Sequence, residues 1–194
     1  MKDNMKERNA RVKRETKETR VVVELELDGK GATKIDTGIK FFDHILTAFA
    51  THGFFDLIVN AEGDLSHHII EDTAITLGKA FKDAIAADRA KTVRYGLAAV
   101  PMDDSIARCA VDIGSISGEG RSYTVLELGL VRERVEDLST EDIPHFLVSF
   151  ASHANLTLHI YARGENEHHR IEAIFKALGI ALDKATRVEE RRIK

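Results

Sequence analysis

The sequence predicts an α+β protein made of two copies of one sheet-plus-two-helix half, packed as a single body. Three observations carry that expectation. First, eight of the nine histidines form four pairs separated by 101 residues: His44 with His145, His52 with His153, His67 with His168, and His68 with His169. Glu71/Glu172, Leu46/Leu147, Phe49/Phe150, Leu77/Leu178 and Gly78/Gly179 keep the offset, as do Arg20/Arg121, Leu25/Leu126 and Glu26/Glu127 upstream. Second, strand-like and helix-like stretches recur in the same order in both halves. Third, with two prolines and no low-complexity linker in 194 residues, nothing marks a domain boundary. One domain over residues 1–194, with repeats of about 14–90 and 91–194, is the expected organisation.

Alternation in VVVELEL makes residues 20–27 the first expected strand. Residues 28–31 (DGKG) signal a turn, because glycine accepts positive φ, and residues 32–39 then return as a second strand. Phe42, Ile45, Leu46 and Phe49 have helical spacing, which predicts a helix over 41–51 that stops at His52-Gly53. A third strand follows over 54–61. Ser66 is expected to cap a helix running from His67 towards Ala87. In the second half the equivalents are a strand at 122–131, a helix at 143–154, a strand at 156–162 and a helix at 167–188. Residues 94–114, with the strand-like run 106–113, have no evident repeat partner.

Composition narrows the class. The 43% apolar and 31% charged content is that of a soluble globular chain, and a net charge of -4 gives no overall footprint for nucleic acid. The local basic run of Arg8, Arg11, Lys13, Arg14, Lys17 and Arg20 is expected to be a solvated, partly disordered arm. Cys109 is the single cysteine, so no internal disulfide framework exists and a reducing compartment is expected. No signal-like leader and no long apolar run are present, which predicts a cytoplasmic protein with no membrane partner.

The repeated motif is His-His-x-x-Glu, at His67-His68…Glu71 and His168-His169…Glu172. Residues four apart stack on one helix face, so His67 with Glu71, and His168 with Glu172, can each chelate one cation. His68 and His169 point about 100° away around the helix and cannot easily join their own pair. If the halves face each other, His68 can complete the metal held by His168 and Glu172, and His169 that held by His67 and Glu71. His44 and His145 would bring each cation to three imidazoles and one carboxylate. A lone His-x-x-x-Glu is ordinarily a surface pair. Two copies in register, each with an adjacent and an upstream histidine, point instead to metal. Such donors suit Mn, Fe, Co or Zn, and the nitrogen-rich set leans towards a nitrogen-containing substrate. His52 is as well read as a helix C-cap as a ligand or substrate contact, His153 is better read as a cap, His159 as structural, and Lys30, Arg89 and Arg191-Arg192 as solvated charges.

At these residues the chain resembles the imidazoleglycerol-phosphate dehydratase family. The shared patterns are RETKET (14–19), LDGKG (27–31), TGIKFFDHIL (37–46), HHIIEDTAITLG (67–78), VPMDD (100–104) and EHHRIEAIFKAL (167–178), spread over nearly the whole chain. The resemblance implies two four-stranded, two-helix halves of the ferredoxin-like or ribosomal protein S5 domain 2-like kind. It also implies a 24-subunit homo-oligomer with two Mn²⁺ per active site at subunit interfaces. One Mn²⁺ would take His44, His68, His168 and Glu172, and the other His67, Glu71, His145 and His169. Substrate contacts would fall on Glu18, His52, Arg94, Arg121 and Lys176, the last three residues being phosphate candidates.

The implied reaction removes water from imidazole glycerol phosphate to give imidazole acetol phosphate, through a dimetal-bound imidazolate and a diazafulvene-like intermediate. Glu18 would be the acid/base, assisted by Glu71 or Glu172, with Asp104 a further candidate. Two departures stand out: residues 113–121 are longer than the family's Ser-Gly-Arg turn, and the chain ends RRIK without its Ser-Thr-Lys tail. Other classes compatible with a dimetal site are a phosphohydrolase and a non-catalytic metal-binding assembly.

Overall fold

A computed structural model describes residues 8–86, 88–114 and 122–192. The first half runs β1 (Asn9–Glu15), β2 (Thr19–Glu26), β3 (Thr33–Asp36), α1 (Lys40–Gly53), β4 (Asp56–Gly63) and α2 (Ser66–Ile85). The second runs β5 (Tyr95–Met102), β6 (Ser105–Asp112), β7 (Tyr123–Glu127), the short hairpin β8 (Arg134–Val135) and β9 (Leu138–Ser139), α3 (Asp142–Ala154), β10 (Thr157–Arg163) and α4 (Glu167–Thr186). Each half has a four-stranded sheet, ordered β1-β2-β4-β3 and β5-β6-β10-β7. In both, three strands are antiparallel and the last is parallel to its neighbour. The α+β duplication expected from the sequence is the observed architecture.

The helices lie between the sheets. α2 packs on β1 and β2, α4 on β5 and β6, and the halves meet where α1 crosses α4 and α2 crosses α3. Phe42, Phe146, Phe150 and Phe175 fill this seam. The Phe42 and Phe146 rings meet edge-on at 5.5 Å, and those of Phe146 and Phe175 lie 5.4 Å apart. The repeated glycines set the helix separation. A Cβ on Gly179 would lie 2.2 Å from the Phe49 carbonyl oxygen, and one on Gly78 2.7 Å from that of Phe150. Backbone stands in the way at both, so neither clash is relieved by a rotamer change. Gly179→Ala is therefore expected to lower unfolding stability by about 1–3 kcal/mol through overpacking, read from the midpoint of a urea titration.

Several expectations need correction. The basic N-terminal run is not an arm from residue 8 onward. Residues 9–15 form an edge strand on β2, Arg8 is buried on Asp28 and the Thr186 carbonyl, and Arg14 holds Asp72 at 2.6 Å. Residues 32–39 are not a full strand hairpinned to β2. Only Thr33–Asp36 extend, and they pair with β4. Residues 94–114 do have a repeat partner: β5 and β6 occupy the places of β1 and β2, and β7 that of β3. The 101-residue offset is therefore structural only from α1 onward. Leu25/Leu126 and Glu26/Glu127 fall on non-equivalent strands, while Arg121 lies outside the described residues.

Smaller corrections follow the same logic. Ser66 is the first helical residue, Leu65 taking the cap position without a side-chain bond, whereas Asn166 caps α4 by accepting from the His168 amide at 2.9 Å. Arg89 is buried, donating to the Ile113 and Asn155 carbonyls. Cys109 is buried in β6, and desolvation pushes its thiol far above the usual range, so it is no nucleophile. Among the described residues no helix is long and apolar enough to cross a membrane.

Candidate metal centre

The two crossings bring the predicted ligands together as two equivalent triads. At the α1/α4 crossing, His44, His168 and Glu172 place one ligand atom each within 4.8 Å of one another; at the α2/α3 crossing His67, Glu71 and His145 do the same. His44 Nε2 lies 3.4 Å and His168 Nε2 3.8 Å from Glu172 Oε2, and His145 Nε2 lies 3.3 Å from Glu71 Oε1. The helical spacing of His168 and Glu172 and the repeat offset account for both triads.

His68 and His169 are in neither triad. They sit beside the two topologically equivalent sheet turns, β1–β2 and β5–β6. His68 Nδ1 faces Asp64 at 2.8 Å and Glu18 at 3.9 Å, and His169 Nδ1 faces Asp104 at 2.9 Å. The facing of the halves within one chain therefore does not complete either set of four. Each triad is one imidazole short of the expected set of four, and the two remaining imidazoles, His68 and His169, lie elsewhere in the chain.

Carboxylates that the sequence did not single out hold the other imidazole nitrogens. His67 Nδ1 is bonded to buried Asp142 at 2.6 Å, and His168 Nδ1 to exposed Glu136 at 3.2 Å. With His68–Asp64 and His169–Asp104, all four imidazoles hold Nδ1 on a carboxylate, the arrangement that favours Nε2 as the metal-binding nitrogen, although His169 Nε2 also lies 3.6 Å from Asp103. Asp64 stands four residues before His68 and was legible as a helix-start pair. Glu136 and Asp142 come from a loop and a helix start with no periodic signal. The Asn166 and Glu165 amides with His169 hold Asp104 far below the usual carboxylate range. The bond to Asp64 raises the His68 pKa. Burial works to raise Glu172, but its bonds to Lys176 and His44 prevail and leave it below its ordinary value.

The predicted substrate residues are dispersed. Lys176 borders the first triad, its Nζ 2.8 Å from Glu172 Oε1. Glu18 is exposed on the β1–β2 turn near His68. His52 and His153 each bond the carbonyl one turn back, Ala48 at 2.9 Å and Ser149 at 2.8 Å, at helix ends closed by Phe54 and Asn155 in left-handed conformation. His52 is about 12 Å along α1 from His44. Arg94 forms a two-point pair with Asp112 at 2.8 and 3.0 Å, and its amide bonds Ala185, about 20 Å along α4 from Glu172. Arg94 cannot serve the triad of its own chain.

The donor chemistry fits a divalent first-row cation. His145 Nε2 is buried and, among the described residues, has no hydrogen-bond partner although it faces Glu71, a costly state for a polar atom that a cation would relieve. Fold and site together define a duplicated α+β protein with two pseudo-equivalent, cation-competent His/His/Glu triads.

The sequence profile of imidazoleglycerol-phosphate dehydratase matches residues 37–182. The dehydratase of Methanosarcina barkeri is 46% identical over 190 residues, covering 96% of each chain. That of Methanocaldococcus jannaschii is 49% identical over 184 residues, 93% of this chain and 89% of its own. The crystal structure of the Staphylococcus aureus dehydratase superposes with a TM-score of 0.81 at 35% identity, covering 93% of this chain and 98% of that one. That of Pyrococcus furiosus, in complex with (S)-C348, gives 0.79 at 36% identity, covering 92% and 95%. The chain belongs to the imidazoleglycerol-phosphate dehydratase family. It is an enzyme, a carbon–oxygen hydro-lyase.

Proposed function

We propose that this enzyme dehydrates imidazole glycerol phosphate to imidazole acetol phosphate in histidine biosynthesis, at sites shared between copies of the chain. The observation that carries the shared site is the pair of three-residue sets together with two imidazoles, His68 and His169, held apart from both. The α1/α4 end of one chain, with His44, His168, His169 and Glu172, would meet the α2/α3 end of another, with His67, His68, Glu71 and His145. Each triad then gains its fourth ligand in trans, and the site holds two Mn²⁺. Exposed apolar side chains on the outer face of the second sheet, Tyr95, Leu97, Tyr123 and Tyr161, favour the larger homo-oligomer, which we take to be 24 subunits.

When bound, the cations supply Lewis acidity at the substrate's ring nitrogens, which favours loss of the ring N–H proton. The chain's own residues do the rest. The triads would hold the cations and so set where the ring binds. The hydroxyl on the carbon attached to the ring leaves as water with a proton from the Glu18 carboxylic acid, and the Glu18 carboxylate so formed takes the proton on the next carbon. Glu18, carried beside His68 to the shared site, is the group that moves that proton through its carboxylate, and Glu71, the more exposed of the two ligand carboxylates, is the second candidate. The resulting enol tautomerises to the ketone. Lys176 borders the site from its own chain, and Arg94 reaches it only from another copy, where its fork suits a phosphate. His52 and Arg121 complete the proposed contacts.

The test is to supply Mn²⁺-loaded enzyme with imidazole glycerol phosphate and follow ketone and free phosphate together. Metal-dependent ketone without phosphate supports the dehydratase. Phosphate release identifies a phosphohydrolase, and neither product leaves a metal-binding assembly.

A further inference from the structure

The two triads are equivalent in position but not in surroundings, and the differences fall at repeat-related residues. Asp142 stands where the first half has Phe41, and Lys176 where it has Ile75. In the α2/α3 triad, Asp142 accepts a 2.6 Å bond from His67 Nδ1 and is 3% exposed. In the α1/α4 triad, Phe41 packs on the His168 ring instead, centroids 4.6 Å apart, and the ring's carboxylate is exposed Glu136 at 3.2 Å. Lys176 Nζ holds Glu172 Oε1 at 2.8 Å, while the Glu71 position has isoleucine one turn on.

These substitutions act in one direction. A short bond donated by the ring N–H to a buried carboxylate fixes the ring and makes its other nitrogen a better metal ligand. An ammonium on a ligand carboxylate draws charge from it and repels an arriving cation. The α2/α3 triad presents Glu71 and Asp142 with no lysine among the described residues bound to its ligand carboxylate; the α1/α4 triad presents Glu172 and Glu136 against Lys176. His145 Nε2, buried without a hydrogen-bond partner among the described residues, adds to the gain on loading the α2/α3 triad.

We infer that the two cation positions are unequal. The His67/Glu71/His145 position is the tight, resident one, and the His44/His168/Glu172 position is the weaker, exchangeable one, with Asp142 and Lys176 setting the difference. The inference rests on the two-cation reading above. Under limiting metal the enzyme would hold one cation and await the second.

The test titrates Mn²⁺ into chelator-stripped, full-length protein and reads free Mn²⁺ by electron paramagnetic resonance. The expected result is two binding classes of about one ion per chain each, with affinities about 10–100-fold apart. Lys176→Met should tighten the weaker class alone, and Asp142→Asn should loosen the tighter class alone. If Asp142→Asn does not fold, Lys176→Met still decides. A single class of about two ions per chain, or a Lys176→Met effect on the tight class, overturns the inequality and leaves the two-cation reading intact. Absence of stoichiometric binding overturns both.

Discussion

Glu172→Gln is expected to lower kcat/KM by about a thousandfold or more, at least about 4 kcal/mol of transition-state stabilisation, while leaving the fold in place. Glu172 is the single carboxylate of its triad. Its Oε2 faces both imidazoles, and its Oε1 holds Lys176. The amide keeps the shape and can still accept from Lys176, so the stability cost should be that of one weakened charged hydrogen bond, about 1–3 kcal/mol. The anionic donor is lost, and with it one of the two cations. Wild-type turnover in a folded variant would remove Glu172 from the ligand set.

Glu18→Gln should separate chemistry from binding. Glu18 lies on the exposed β1–β2 turn, joined to the metal-binding elements through Asp64, whose amide bonds the Glu18 carbonyl at 3.1 Å, and through His68. It contributes to neither triad, so Mn²⁺ stoichiometry should not change. If it moves the substrate proton, kcat falls by about 10²–10⁴-fold with KM little altered. Lost metal with a proportionate loss of activity would instead make the turn a structural support. A wild-type kcat would pass the proton transfer to Glu71 or to Asp104, which the β5–β6 turn holds in the equivalent place.

The legible features were those with a period or a register. Helical spacing placed α1 to α4, and the paired histidines placed both triads, because one ligand set copied at a constant offset stays visible while the sequence around it diverges. The edge strands were hidden for opposite reasons. β1 has no fully buried residue and alternates charge with half-buried positions, so it reads as a solvated arm. β5 is rich in Gly, Ala and Pro, poor strand formers that survive there because Gly96 lies against the α4 backbone. Matches at Leu25/Leu126 and Glu26/Glu127 then supplied a false register, since the second half spends its extra residues between β6 and β7 and again before α3. Glu136 and Asp142, which orient His168 and His67, carry no local signal because their partners are fixed only by packing.

The central claim, a site assembled from two chains, has a direct test in mixed oligomers. His68→Ala and Glu172→Gln chains, each expected to be inactive alone, are co-expressed with different tags and purified through both. A site that takes its triad from the His68→Ala chain and its imidazole from the Glu172→Gln chain is intact. Random mixing should therefore restore about a quarter of wild-type turnover. Folded mixed assemblies without activity would show that each site is completed within one chain, and would contradict the account.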